Sequence, residues 1–142
     1  MARSNSFVDT LSTVPLFSAC SKKELAMVAK SAEPVSVPAG KVVVNEGAAG
    51  TEFYVILEGQ ARVERHGRQV AILGPGGFFG DLALLDRAPR NATVVAETPM
   101  TVLVLAQREF NDVLDAVPGL AHKMLKSMAG RLREADARSV TS

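Results

Sequence analysis

Glu52-Phe53-Tyr54-Val55-Ile56-Leu57-Glu58-Gly59, running on into Gln60-Ala61-Arg62-Val63-Glu64-Arg65-His66-Gly67-Arg68-Gln69-Val70-Ala71-Ile72-Leu73-Gly74, decides the fold. Short runs rich in Val, Ile and aromatic residues end at glycines, the pattern of strands joined by tight turns. It predicts strands over 52–58, 60–65 and 68–73. His66-Gly67 has the length and composition of a two-residue hairpin loop. Outward from this stretch the rhythm continues, with strands predicted over 35–37, 41–45, 93–96 and 100–106 and turn glycines at Gly40, Gly47 and Gly50. Many short strands at regular spacing predict an antiparallel β-roll or jelly roll.

Helices flank the strands. Ser21-Lys22-Lys23-Glu24 fits a capping box, and Leu25, Val28 and Ala29 follow at helical spacing, so a helix is predicted over 21–32 with Pro34 ending it. Beyond residue 106, Glu109, Phe110, Val113 and Leu114 mark a second helix, and Pro118-Gly119 breaks it. Leu120, Met124, Met128 and Leu132 lie four apart and predict an apolar stripe on a final helix over 119–137. The fold class is mainly β with flanking helices: an antiparallel β-roll or jelly roll with an N-terminal helix and two C-terminal helices. A single domain is expected over 1–142, with a core at about 14–135 and flexible termini; the chain reads as a complete small protein.

Composition narrows the function. Apolar residues make up 47% of the 142, which suits a packed globular domain. Sixteen basic side chains against fifteen acidic leave a net charge of +1, and no basic run occurs, so binding to nucleic acid through phosphate neutralisation is not expected. Cys20 is the single cysteine, which precludes an internal disulfide and agrees with a cytoplasmic setting. No leader-like stretch or long apolar run points to a membrane. His66 and His122 lack metal-ligand spacing, which argues against a metal-dependent enzyme on a jelly roll. No catalytic triad, carboxylate pair or activated thiol is apparent, so no enzymatic activity and no cofactor are expected.

The segment from Gly74 to Ala92 interrupts the strand rhythm. Gly74-Pro75-Gly76-Gly77-Phe78-Phe79-Gly80 carries too many glycines to read as a strand, and Leu82-Ala83-Leu84-Leu85 is too short for a full helix. Gly80 lets a ligand approach the backbone, and Asp81 beside it can accept from a hydroxyl. One helical turn at 82–85 offers free amides to an anion. Arg90, behind Pro89, is a permanent cation with a planar fork suited to phosphate oxygens, and Asn91 and Ala92 add amides next to it. The segment therefore suits a small, hydroxylated ligand with a charge near −1. It contains no phosphate loop of the triphosphate-binding type.

Gly80-Asp81-Leu82-Ala83-Leu84-Leu85 with Pro89-Arg90-Asn91-Ala92-Thr93 resembles the phosphate-binding cassette of cyclic nucleotide-binding domains, the family that includes regulatory subunits of cAMP-dependent protein kinase, cyclic nucleotide-gated channels and bacterial catabolite activators. Val14-Pro15-Leu16-Phe17, Pro38-Ala39-Gly40 and Leu57-Glu58-Gly59 extend the resemblance over residues 14–135. It implies a ligand-binding set of Gly80, Asp81, Leu82, Ala83, Arg90, Asn91, Ala92 and Val94. Arg90 would pair with the exocyclic phosphate oxygens, helped by the amides of Ala83 and Asn91. Asp81 would accept from the ribose 2′-hydroxyl. Val94 and the strand of Tyr54 and Ile56 would wall the base, and the final helix would close over it through Met124, Met128 or Leu132.

Two positions depart from the family pattern. Asp81 stands where the family usually has Glu and is one methylene shorter. Asn91 stands where cAMP-preferring kinase domains often carry Ala and cGMP-dependent kinases Thr, and an amide can both donate and accept. The resemblance implies a cyclic nucleotide sensor with cAMP ahead of cGMP. It would signal through C-terminal helix movement to an unidentified effector protein, or by self-association along that helix. The alternative is an interaction module of the same fold that binds cGMP or has lost nucleotide binding.

Overall fold

The computed structural model describes residues 8, 9, 11–13, 17, 20–80, 89–123, 125, 126, 129, 130 and 133. Ser21 opens the helix that the sequence predicts over 21–32. Its hydroxyl accepts from the Glu24 amide at 3.1 Å, and the Glu24 carboxylate accepts from the Ser21 amide at 2.8 Å. Helix α1 (Lys22–Ser31) buries Leu25, Val28 and Ala29.

The strands follow in chain order: β1 (Glu33–Val37), β2 (Val42–Val44), β3 (Glu52–Glu58), β4 (Ala61–Arg65), β5 (Arg68–Leu73), β6 (Phe78–Phe79), β7 (Thr93–Ala96) and β8 (Met100–Ala106). Helix α2 (Gln107–Ala116) comes next. The described strands form two antiparallel sheets of four, in the orders β1-β8-β3-β6 and β2-β7-β4-β5. This is the β-roll that the sequence predicts. Pro34 does not end the helix. It sits inside β1, an edge strand, where a missing N–H is tolerated. His66 (φ +54) and Gly67 (φ +77) both lie in the left-handed region, as a two-residue hairpin between β4 and β5 requires.

Strand β6 is a departure from the sequence reading. Phe78 and Phe79 pair with Val55 and Tyr54 despite the glycines around them. The two rings, not local propensity, hold them there: Phe78 packs toward the helices and Phe79 toward the interior of the roll.

Sheet β1-β8-β3-β6 is covered on both faces. Phe53 and Val55 of β3, with Leu103 and Leu105 of β8, face a cluster containing Leu25, Val28, Phe110 and Val113 from the helices. Tyr54, Ile56 and Val102 face the other way, onto Val37, Val44, Ala61, Val94 and Ala96 inside the roll. This two-sided burial explains why β3 reads as an unbroken apolar run. Phe53 is central to the helix side, its ring centroid 4.8 Å from Phe110 and 5.8 Å from Phe78.

Leu11, upstream of the expected core boundary at 14, is fully buried in the helix-side cluster with Phe17. Cys20 packs partly against that cluster, and burial, with Glu24 nearby, pushes its thiol pKa up, so Cys20 is poorly suited to act as a thiolate. At the other end the helical path breaks at Val117, not at Pro118-Gly119. Pro118 instead starts the next helical stretch, residues 118–123, a position where its missing amide costs nothing. Leu120 is buried, while the predicted stripe residues Met124, Met128 and Leu132 lie outside the described residues. No described helix is long and apolar enough to cross a membrane.

The capping box gives a direct check of how the N-terminal helix is held. Ser21→Ala is expected to cost about 1 kcal/mol of stability, measured by urea unfolding, with the slope of the transition unchanged.

Candidate functional site

Among the described residues Arg90 is the only buried polar or charged side chain, 6% exposed. Its backbone is pinned to the loop between β2 and β3: the Arg90 amide donates to the Ala48 carbonyl at 2.9 Å, and the Gly47 amide donates to the Arg90 carbonyl at 2.7 Å. Nearby, the Glu46 amide donates to Thr93 Oγ1 at 2.9 Å, which ties the same loop to the start of β7. The arginine therefore points inward from a doubly anchored backbone.

Its guanidinium bridges the start of β3 and the residue just after β6. Nη2 donates to the Glu52 carbonyl at 2.9 Å and Nη1 to the Gly80 carbonyl at 3.1 Å. Two glycines make room for this. A Cβ on Gly50 would stand 1.8 Å from Arg90 Nε, so any side chain there would expel the guanidinium. A Cβ on Gly80 would meet the Glu52 carbonyl at 2.6 Å and Arg90 Nη1 at 2.7 Å, and Gly80 also holds φ +92, which other residues rarely adopt.

The ion pairs found among the described residues use Arg62 and His66, and none uses Arg90. Among the described residues the guanidinium is met by carbonyl dipoles and by no carboxylate. A planar guanidinium fork is of the kind that matches phosphate or carboxylate oxygens.

Tyr54 borders this arrangement. Its ring stacks on Phe79 at 4.7 Å, with the planes 12° apart, and its hydroxyl donates to Glu52 Oε1 at 3.1 Å. Burial first, then the Glu52 carboxylate, pushes the tyrosine pKa up to about 12, against the opposing pull of Arg90. The hydroxyl thus remains a hydrogen-bond donor throughout the neutral range.

A family model for the cyclic nucleotide-binding domain matches residues 34–116, which include the whole of this arrangement. The chain belongs to the cyclic nucleotide-binding domain family. A cAMP-dependent protein kinase regulatory subunit from Mycosarcoma maydis is 34% identical over 129 residues, covering 84% of this chain and 25% of its own length. The cyclic AMP receptor protein of Thermus thermophilus is 32% identical over 127 residues, covering 86% of this chain and 59% of its own. The regulatory domain of Toxoplasma gondii protein kinase A, crystallised with cAMP, superposes with a TM-score of 0.78 at 26% identity, across 89% of this chain and 51% of that one. The chain thus spans about a quarter of the kinase subunit and 59% of the receptor protein.

Within this cyclic nucleotide-binding domain the sequence-predicted residues fall in three groups. Gly80 and Arg90 are brought together by the 3.1 Å bond between them. Ala92 and Val94 are buried, Val94 in the same inner cluster as Tyr54 and Ile56. Asn91 is exposed, and its carbonyl accepts from Arg65 Nε at 3.1 Å. Asp81, Leu82 and Ala83 lie outside the described residues. His66, expected to be solvated, is exposed but pairs with Glu46, whose carboxylate takes both its amide and its ring nitrogen.

Sequence reasoning missed Glu52 and Gly50. The carbonyl that Glu52 offers Arg90 is one every residue has, so side-chain identity gives no signal for that contact. Gly50 reads as a turn glycine, yet its φ lies outside the left-handed region and only the arginine demands it.

Tyr54 is the only tyrosine in a chain without tryptophan, so its ionisation can be followed alone by tyrosinate absorbance. A raised pKa means that the stabilising contribution is complete below the unfolded-state value of 10 and is lost as pH climbs toward about 12. The folded protein is expected to titrate near 12 and the urea-unfolded chain near 10; a folded-state midpoint at 10 contradicts this placement of Tyr54.

Proposed function

We propose that this domain is a cyclic nucleotide sensor that takes cAMP in preference to cGMP and passes the signal to a separate partner through its C-terminal helix. The observation that carries the reading is Arg90: a buried guanidinium on two carbonyls, in no ion pair among the described residues. A cyclic phosphate supplies one negative charge and paired exocyclic oxygens, which match that fork. The cAMP named for the related receptor protein and crystallised with the Toxoplasma domain supports the same ligand here.

In this reading Arg90 pairs with the phosphate, and the amides of Ala83 and Asn91 share the charge. Asp81 accepts from the ribose 2′-hydroxyl beside the Gly80 backbone. Leu82 and Ala92 shape the cradle, and Val94 walls the base with Tyr54 and Ile56. The ligand acts by population shift: phosphate contacts order the cradle, and the helix beyond the Val117 break docks over the base. The domain works as a single unit over 1–142 without a cofactor, as a binding module and not an enzyme. Its partner is an effector protein or a second copy meeting along the final helix, with no role for nucleic acid or membrane. The lone Cys20 suits the reducing cytoplasm.

Calorimetry with cAMP and cGMP tests the reading directly. At ligand near 100 times Kd, about 2.7 kcal/mol of added stability is expected, and Arg90→Ala should abolish it. An unchanged thermal shift in Arg90→Ala would remove Arg90 from the site.

Asp81 supports a second reading, an interaction module that has lost its ligand. Its shorter reach is expected to weaken cAMP binding by about tenfold relative to Asp81→Glu. Silence of the wild type up to millimolar nucleotide, together with binding by Asp81→Glu, selects the second reading.

A further inference from the structure

Glu52 meets the site twice. Its carbonyl accepts from Arg90 Nη2, and its carboxylate accepts from the Tyr54 hydroxyl. Residues 52 and 54 share one face of β3, and Tyr54 places that face on the inside of the roll with Ile56 and Val94. The Glu52 carboxylate lies on the Tyr54 side of the strand, and the guanidinium is close to Tyr54: a Cβ on Gly80 would stand 2.7 Å from Arg90 Nη1 and 3.4 Å from the Tyr54 ring. A carboxylate is a strong partner for an arginine fork. In the structure, however, it is turned to a neutral hydroxyl instead.

The hydroxyl has little freedom to follow if the carboxylate moves. The Tyr54 ring is clamped by its stack on Phe79, and one ring edge lies 3.4 Å from where a Cβ on Gly80 would stand. Ring, hydroxyl and carboxylate thus form a bracket beside Gly80, whose carbonyl is the second acceptor for Arg90. Removing the hydroxyl would leave the Glu52 carboxylate without the donor the structure gives it, beside a cation.

We propose that Tyr54 is a positioning residue that keeps the Glu52 carboxylate off Arg90, and that Glu52 is a built-in competitor for the guanidinium that the nucleotide phosphate needs. The proposal rests on reading Arg90 as the phosphate-binding arginine. A carboxylate and a phosphate cannot both occupy one fork without repulsion, so the direction of Glu52 sets how much of the protein is open to ligand. A competitor held aside by one hydrogen bond lowers the apparent affinity only by the fraction of time it escapes.

The test is a double-mutant cycle on the full chain with Tyr54→Phe, Glu52→Gln and the pair, read by cAMP calorimetry. Tyr54→Phe keeps the ring stack and frees the carboxylate, and binding is expected to weaken about tenfold, the size of one charge-assisted hydrogen bond. Adding Glu52→Gln should bring affinity back to within about threefold of wild type, because the amide carries no charge to compete. A double variant as weak as Tyr54→Phe overturns the proposal. Glu52→Gln alone should bind at least as tightly as wild type; weaker binding means that Glu52 only supports the fold, and this arm holds even if Tyr54→Phe fails to fold.

A second readout needs no nucleotide. The Arg90 Nε–H resonance, assigned by its loss in Arg90→Lys, is expected to move downfield in Tyr54→Phe and return in the double variant. An unmoved resonance overturns the proposal. Wild type and Asp81→Glu that both bind no cyclic nucleotide refute the reading of Arg90 on which the proposal stands, while the arginine resonance still decides the relation between Tyr54 and Glu52.

Discussion

One buried guanidinium constrains this domain. Taking a permanent charge out of water is tolerable only if its donors are met, and the chain meets two of Arg90's with the carbonyls of Glu52 and Gly80. Those acceptors come from the first residue of β3 and the residue that follows β6. Gly50 must stay bare so that the side chain can pass, and Gly80 must be glycine for both its backbone angle and its clearance. The loop between β2 and β3 must run alongside residue 90 to hold its backbone. A set of features scattered from residue 47 to residue 90 thus answers to one side chain. Among the described residues these partners bring dipoles and no opposite charge in an ion pair with Arg90.

The surrounding fold supplies the stiffness this requires. Sheet β1-β8-β3-β6 is packed on one face by helices and on the other by the roll, so β3 cannot slide without disturbing two cores. That strand carries Glu52 and Tyr54 at its beginning, where the guanidinium lies. The second sheet has a different character: β5 is its edge, and Val70 and Ile72 stand largely exposed on it. The binding arrangement is therefore built on the more deeply buried sheet.

Much of the fold was readable from the order of residues, because strand alternation, turn glycines and the capping box are local in sequence. The hairpin at His66-Gly67 and the helix opened by Ser21 needed only neighbours a few positions away. Strand β6 escaped because Phe78 and Phe79 are strand residues only through contacts with β3 and the two cores, and their glycine neighbours argue otherwise. The helical break was displaced by one residue because Pro118 serves a helix start as readily as a helix end. At the site, Arg90 and Gly80 were legible as a pair suited to an anion. Glu52 was not, since it lies 38 positions from Arg90 and contributes a carbonyl, which every residue has. Tyr54 was read only as a wall, although its hydroxyl does more than its ring in shaping the polar side of the site.

Phe53 and Tyr54, consecutive in the chain, look in opposite directions: one ring meets Phe110 of helix α2, the other stacks on Phe79 beside the arginine. The sheet at this point is a diaphragm a single pleat thick, with helices on one side and the interior of the roll, with Arg90 at its edge, on the other. Pressure on either side is felt on the other through one peptide unit. Any coupling between the two faces then needs no relay of side chains across the domain. It requires only that the membrane between the two compartments be taut, and two cores pulling on the same strand keep it so.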